Sequence, residues 1–476
     1  MRIFPRGSLD RFRKDQEGAI LPVFALMVIV LVVIGGGAID VSRAVNAREK
    51  LSYALDAAAL AVAVELSGRE MTDDQVRRYL QDSFNANLKA SDWKQTAINN
   101  IAVDINPDEG QVTVSSQAWL KNYFISIAGY GIDQIGPEKF AFGTSATVNY
   151  SRFNVEIAVA LDVTNSIGTV PGGLNSVKSA AQRLVDILVP EQGGQQNSKV
   201  RLSVVPYSWG VAAPGYVNKL IVEGRKDGSR CITARANSAR FKEGPYWNNF
   251  GNTGFNQGSQ RFYYISYDRW YGPQTDCPFT SVQPLTADKR DLTNTIRNLQ
   301  LVGGTAGQAG VAWSWYTLSP EWSPIWPIES QPLPYQTGPK AKNRKIAILM
   351  TDGETNTYWD WERVERRQCR WRGGNNWDCT GQDRWEWTQR GWYALPSYNV
   401  PPVQRALEFC RLMKAKGIEV YSVFFQTGTA ATPHGLRLMQ ECASSTDHYY
   451  RADNRTELEG AFQNIAKKIQ KIYLSR

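Results

Sequence analysis

Histidine is nearly absent from this 476-residue chain, which has only His434 and His448. A histidine general base therefore has little to draw on, and a mixed Cys/His metal site is poorly supplied. Cysteine is missing from the first 230 residues. The six cysteines, Cys231, Cys277, Cys369, Cys379, Cys410 and Cys442, all lie distally, and none sits in a Cys-x-x-Cys pair. That spacing argues against structural zinc and thioredoxin-type redox chemistry. There is no Gly-x-x-x-x-Gly-Lys-Ser/Thr loop, no His-Glu-x-x-His and no Gly-x-Ser-x-Gly, the usual carriers of nucleotide, metalloprotease and serine-hydrolase chemistry. The net charge of +9 is spread along the chain without long basic runs. It reads as solubility and attraction to anionic surfaces, with no nucleic-acid signature beside it.

A hydrophobic share of 42% and a charged share of 21% are those of a globular protein. The length calls for two or three folded units. An even cysteine count fits disulfides if the distal half lies outside the cytosol. The local pairs 231–277, 369–379 and 410–442 are the simplest of the roughly 15 pairings open to six cysteines. Reduced core cysteines are the other reading.

Residues 1–17 are polar and basic, with Arg2, Arg6, Arg11, Arg13 and Lys14. From Gly18 to Ile39 no charge appears, enough apolar chain to cross a bilayer as a helix at roughly 20 residues per span. The balance against Arg43, Arg48 and Lys50 narrowly favours an amino terminus on the cytoplasmic side, which leaves the cysteines outside. A cleaved signal peptide is the alternative, since Gly35-Gly36-Gly37-Ala38 offers small residues after the apolar core. Type IV prepilin processing is not supported, because Val23 stands where a Glu would be needed.

Beyond Ile39 the pattern stays helical through Leu66, with Leu51, Leu55, Ala58 and Val62 on one stripe. Thr72 and Gln75 make a capping box for a second helix. Ile101, Val103 and Ile105, the turn Asn106–Gly110, and then Val112 and Val114 alternate as a half-buried hairpin. A small α+β unit is expected to end near Tyr150.

The segment Gly18 to Val64 resembles the amino-terminal part of TadG-like proteins of bacterial tight-adherence (Flp) pilus systems. The matching positions are Asp40, Val41, Arg43, Leu51, Ala54, Asp56, Ala57 to Ala59, Leu60 and Ala61, at a fixed distance from the apolar run.

The distal chain alternates strands and helices: Ile157–Leu161, Leu174–Leu188, Val200–Val205, Ile346–Met350, a helix from Pro402 stopped at Gly417, Ile418–Phe425, and a last helix capped by Asn454. That alternation predicts an α/β fold with a doubly wound, mostly parallel sheet. The buried-type strand Ile157–Leu161 delivers Asp162, Thr164 and Ser166 at alternate positions where it ends, and open α/β sheets bind ligands at such ends. Gly303-Gly304-Thr305 adds a hydroxyl in a glycine-flexed loop. Thr351-Asp352-Gly353-Glu354 adds a carboxylate after another strand, with Glu354 expected to shape the loop. Carboxylate and hydroxyl oxygens suit a hard cation such as Mg²⁺; the other reading is a metal-free, mutually hydrogen-bonded set.

From about Asn154 onward the chain resembles von Willebrand factor A domains. Asp162, Thr164, Ser166, Thr305 and Asp352 fall on that family's metal-ion-dependent adhesion site, with Thr164 where the usual pattern has Ser. The resemblance implies a bound Mg²⁺ or other divalent cation that accepts an acidic group from a protein partner.

Residues 206–260, 320–342 and 357–399 exceed what such a sheet needs and read as aromatic-rich insertions. Trp313, Trp315, Trp322, Trp326, Trp359, Trp361, Trp371, Trp377, Trp385, Trp387 and Trp392, with Arg363, Arg366, Arg367, Arg370 and Arg372, make either a recognition surface or a tryptophan-cored, disulfide-closed subdomain. The expectation is a non-enzymatic, single-pass inner-membrane protein with the bulk of its chain extracytoplasmic. Its partners would be pilus-assembly components and a protein that offers an acidic group, not nucleic acid. A scaffold whose metal only stabilises the fold is the alternative, and a metal-assisted hydrolase is a remote one.

Overall fold

The computed structural model describes residues 20–107, 109–125, 137–151, 153–189, 198–215, 222–223, 231–235, 240–245, 262–263, 277–338, 341–365, 368–371, 377–380, 383–390, 401–428 and 433–474. The basic tail 1–17, Arg366, Arg367, Arg372, Trp392 and most of 206–260 lie outside the described residues.

The chain divides into two compact units, one reaching Tyr150 and one made mainly of Ser151–Ser475. The first is built on α1 (Ile20–Gly68), a single 49-residue helix. Its amino-terminal part is long and apolar enough to cross a membrane, and Phe24, Leu26, Leu31 and Ile34 there are 63–67% exposed. Its later turns bury Leu51, Leu55, Ala58 and Val62 at helical spacing, the stripe read from the sequence.

Thr72 caps α2 (Asp73–Asn87). Its hydroxyl accepts the Gln75 N–H at 3.4 Å, and its own N–H donates to Gln75 Oε1 at 2.9 Å. Thr72→Ala should cost about 1 kcal/mol of local stability. Faster amide exchange confined to Asp73–Asn87 is the expected readout, and unchanged exchange there would refute it. A short α3 (Lys94–Asn99) leads to the antiparallel sheet β1 (Ala102–Asn106), β2 (Gln111–Lys121) and β3 (Lys139–Asn149). Val112, Val114, Ala118 and Leu120 alternate inward from β2 onto the α1 stripe.

The second unit is a mixed α/β structure. Its sheet has five neighbouring strands that run parallel, in the order β15 (Tyr449–Ala452), β14 (Glu419–Phe425), β9 (Asn343–Thr351), β4 (Asn154–Asp162), β5 (Val200–Tyr207). Antiparallel additions lie beyond β5: β6 (Val211–Ala212) with β7 (Cys231–Ile232), and β8 (Gln283–Thr286). All but the first residue of β4 are buried, which is why its sequence runs apolar instead of alternating.

Odd and even positions of the strands feed two cores. Val155, Ile157, Val159 and Leu161 pack with α4 (Gly173–Leu188), α5 (Lys289–Arg297) and α9 (Arg455–Leu474). Ala158, Ala160, Ala347 and Leu349 pack with α6 (Gly307–Leu318), α7 (Pro401–Ala415) and α8 (Pro433–Cys442). Asn454 receives the Glu457 N–H at 3.0 Å, the cap expected for α9. Gly417 takes φ 80° after α7, a left-handed stop that a side chain would strain.

The tryptophans separate into two groups. Trp313, Trp315, Trp322 and Trp326 are at most 3% exposed and fill the core around α6, so the part of the cluster read as a recognition surface that they would form does not exist. Residues 320–342 do not stand away from the sheet, since Trp322, Ile325 and Trp326 belong to that core. The later tryptophans among the described residues lie on two antiparallel ribbons. β10 (Tyr358–Glu365) pairs β13 (Asp383–Arg390) with Trp361 opposite Trp387, and β11 (Gln368–Trp371) pairs β12 (Trp377–Thr380) with Trp371 opposite Trp377. Cys231–Cys277 and Cys410–Cys442 are disulfides, and Cys369 stands opposite Cys379 in the β11–β12 register.

Candidate functional site

β4 has β5 on one side, the next parallel strand in the chain, and β9 on the other. The order therefore reverses between β4 and β9, and the carboxyl ends of those strands flank the crevice where open α/β sheets take ligands. Asp162 ends β4 and Asp352 follows β9 directly. The loop before α6 closes over them: Gly303 O accepts the Asn165 N–H at 3.1 Å, and Val163 O accepts the Val302 N–H at 2.8 Å. Gly303 makes this turn at φ 67°, and a Cβ on Gly304 would sit 3.0 Å from Trp209 Nε1.

All five residues singled out in the sequence come together here. Thr164 Oγ1 donates to Asp162 Oδ1 at 2.6 Å, and the Thr164 N–H donates to the same oxygen at 3.0 Å. Ser166 Oγ donates to Asp352 Oδ1 at 2.8 Å, and Thr305 Oγ1 donates to Thr164 Oγ1 at 3.2 Å. Thr164 Oγ1 and Ser166 Oγ are 2.9 Å apart. Asp162, Thr164, Thr305 and Asp352 are at most 3% exposed, while Ser166 is half-buried at the mouth.

Sequence reading missed three members. Thr351 Oγ1 donates to Asp162 Oδ2 at 2.7 Å, and Thr427 Oγ1 donates to Asp352 Oδ2 at 2.8 Å. Asn356 Oδ1 accepts the Thr305 N–H at 3.1 Å and fixes the loop. Thr427 lies just past β14, so the rule that drew attention to Asp162, a hydroxyl at a parallel strand's end, could have found it. Glu354 stands apart, accepting the His434 N–H at 3.0 Å at the start of α8, the loop-shaping place expected of it.

Each hydroxyl owns one proton. Those of Thr164, Ser166, Thr351 and Thr427 go to the two carboxylates, and that of Thr305 goes to Thr164. Thr164 Oγ1 and Ser166 Oγ, 2.9 Å apart, are also within hydrogen-bond distance with either as donor, so the set is mutually hydrogen-bonded. Burial raises the Asp162 carboxyl against the hydrogen bonds from Thr164 and Thr351. Burial and then the Asp162 charge push Asp352 up to about 7. Two buried carboxylates with hydroxyl oxygens around them suit either a retained proton or a bound cation. Among the described residues there is no group of three or more His, Cys, Asp or Glu that could hold a metal ion, and this site itself brings two carboxylates.

Residues 18–65 match the Tad family, described as Flp pilus-assembly TadE/G-like. No curated protein matches the chain. Among solved structures it is similar to the pilus adhesin SpaC from Lactobacillus rhamnosus GG in its open conformation, at 14% identity and a TM-score of 0.37. That likeness covers 81% of this chain and 35% of the adhesin, so the chain spans about a third of its length. The vWF domain of the type V pili tip protein Mfa5 from Porphyromonas gingivalis gives 15% identity and a TM-score of 0.36, over 68% of this chain and 97% of that domain. The PilB minor pilin from Streptococcus sanguinis gives 13% and 0.33, over 79% and 78%.

Proposed function

We infer, from the TadE/G-like amino-terminal segment as premise, that this chain is a non-enzymatic, membrane-anchored component of a bacterial pilus-assembly or surface-adhesion system. The apolar part of α1 crosses the inner membrane once, amino terminus inside, and the disulfides belong to an oxidising compartment outside. The second unit is a doubly wound domain of the von Willebrand factor A kind. Its site holds a divalent cation, Mg²⁺ by the all-oxygen donor set, through Asp162, Thr164, Ser166, Thr305 and Asp352.

The observation that carries this reading is the convergence of two buried carboxylates and three hydroxyl oxygens from three separate segments at the carboxyl ends of β4 and β9. A cation held there offers a coordination position to an acidic group of a partner protein. Asp162 and Asp352 supply the charge, Thr351 and Thr427 hold the carboxylates in place, and the Gly303–Thr305 loop presents the third hydroxyl. Ser166, the half-buried member, marks the side from which a partner would approach. The near-complete burial of the other four favours a second reading, a scaffold in which the cation serves only the fold.

Proteins retained by the membrane-extracted chain in Mg²⁺, released by EDTA and not retained by Asp162→Ala, are the expected result. Retention unchanged in all three conditions would remove the cation from the function. A cation-dependent rise in Tm without cation-dependent retention would leave the scaffold reading.

The pH dependence follows from the raised carboxyls. Both bind protons more tightly in the folded than in the unfolded chain, so without metal their contribution to stability falls as pH rises from the ordinary carboxyl range through about 7. Mg²⁺ needs the deprotonated forms. It should raise Tm more at pH 8 than at pH 5, and an equal or reversed effect in a thermal-shift series would contradict this.

A further inference from the structure

The three glycines at the end of the apolar run, Gly35-Gly36-Gly37, lie in the middle of α1, where glycine is a poor helix former. The structure gives two of them a reason. A Cβ on Gly36 would collide with the Cβ and ring of Phe124, and one on Gly37 would press on Ile125 Cγ1 at 3.3 Å. Gly35 has nothing within 4 Å. One turn beyond Gly36, on the same face, Asp40 is 0% exposed. Its carboxylate accepts the backbone N–H groups of Tyr123 at 3.0 Å, Phe124 at 2.7 Å and Ile125 at 3.0 Å. Arg43 Nη1 reaches Asp40 Oδ1 and Lys121 O at 3.3 Å each, and the guanidinium carbon stands 4.4 Å from the centre of the Tyr123 ring. Burial alone would raise the Asp40 carboxyl, but the three N–H donors and Arg43 together hold it below the ordinary carboxylate range.

The segment just after β2 is thus bound to the helix by an ionised, fully satisfied carboxylate and seated in a notch of absent side chains. The place of this seat on α1 identifies what it faces. A run from Ile20 to Ile39 covers about 30 Å as a helix, the thickness of a bilayer's hydrocarbon core. Asp40 then stands at the boundary, and Gly36 about 6 Å inside it. Phe124 and Tyr123 are nevertheless 38% and 57% exposed. Aromatic rings with a polar edge gather at that depth, and an Arg over the ring can keep its charge at the headgroups.

The geometry points to an interfacial collar: Asn122–Ile125, held on α1 by Asp40 and the Gly36 notch, lays Tyr123 and Phe124 into the headgroup boundary of the bilayer, with phospholipid as the surface they bind. This rests on the reading that α1 spans the membrane. The exposed Phe124 ring sits directly on the apolar run at Gly36, which fits lipid better than a soluble partner. The collar also sets height and tilt, since the unit that carries β1–β3 meets the bilayer at two separate points of the chain.

The test uses the full chain in phosphatidylcholine nanodiscs, with bimane on single introduced cysteines and nitroxide-labelled lipids as quenchers. No described native cysteine is free to react. Phe24→Cys reports the span. Tyr123→Cys reports the collar. Glu109→Cys, exposed in the β1–β2 turn and about 33 Å along β2 from Lys121, reports the bulk phase. Expected are quenching at 24 by acyl-chain nitroxides just below the headgroups, at 123 by headgroup-level nitroxides, and none at 109. Adding Asp40→Asn or Gly36→Val should reduce quenching at 123 to the level of 109. Gly35→Val, which adds the same bulk into open space, should leave it unchanged. Quenching at 24 with none at 123 overturns the collar and leaves the span standing. No quenching at 24 overturns both. Quenching at 123 that survives both Asp40→Asn and Gly36→Val overturns the assigned fastening.

Discussion

Asp162→Ala should erase the cation-dependent part of the second unit's stability. A ligand that binds only the folded state at a hundred times its Kd contributes about 2.7 kcal/mol, several degrees of Tm. For the intact chain, Tm should climb with Mg²⁺ and fall back with EDTA. For the variant, Mg²⁺ and EDTA should give one curve. Asp162 is the right position because it accepts from Thr164 and Thr351 at once. Its removal disperses the hydroxyls as well as the charge. The metal-free variant has its own shift, since two buried hydroxyls lose an acceptor at about 1–3 kcal/mol each. Asp162→Asn, which keeps an acceptor, separates the two effects. A Tm response to Mg²⁺ that persists in both variants would dismiss the site.

The second large effect lies at the opposite end of the same strand. Glu156 is 1% exposed, pairs in register with Lys345 on β9 and Arg201 on β5, and accepts from both. Leu333 N–H donates to it at 2.9 Å, while Arg201 also donates to Glu329 O and Gln331 O at 2.9 and 2.8 Å. The carboxylate thereby ties residues 329–333 down onto the sheet. Glu156→Ala strands Lys345, 4% exposed and already pushed down by desolvation, without its counter-charge. Breaking a buried pair from one side costs about 3–5 kcal/mol, a large part of a domain's 5–15 kcal/mol. Denaturant unfolding, followed by the buried tryptophans around α6, should show that loss. Glu156→Leu combined with Lys345→Met should recover much of it, because both charges then leave together. A single-variant loss below about 1 kcal/mol would show that the network carries little.

The parts of this chain that could be read in advance are those where one residue type has one physical use. Asp162, Thr164 and Ser166 were legible because a buried-type strand ends on them. Thr72 and Asn454 were legible because a capping side chain has a fixed partner three residues on. α6 was not, since all twelve of its residues are buried and an all-round apolar segment shows no 3.6-residue stripe. Its Trp313 and Trp315 were grouped with the tryptophans of the later ribbons for the same reason. Glu156 carries no local signal, because Lys345 and Arg201 are brought beside it by pairings no local pattern encodes. Thr427 and Asn356 are ordinary loop residues whose partners, Asp352 and Thr305, lie 75 and 51 residues away. The Gly35–Gly37 triplet left a cleaved signal peptide open as the alternative, because Phe124 and Ile125, which occupy the notch, come so much later in the chain.

The place of β4 between β5 and β9 also imposes an order of events during synthesis. Asn154 finds one pairing edge within the next half-hundred residues, but the other edge waits for Asn343, 189 residues further on. At about 5–20 residues per second that wait lasts roughly 10–40 s. Through it this largely apolar strand carries an open row of backbone donors and acceptors, a template for pairing with a neighbouring nascent chain. The same interval holds Asp162 without Asp352, so the two carboxylates meet only after the sheet has closed. Cell extracts made while chains are growing would be the place to look for β4-dependent aggregation, ahead of any defect in the finished protein.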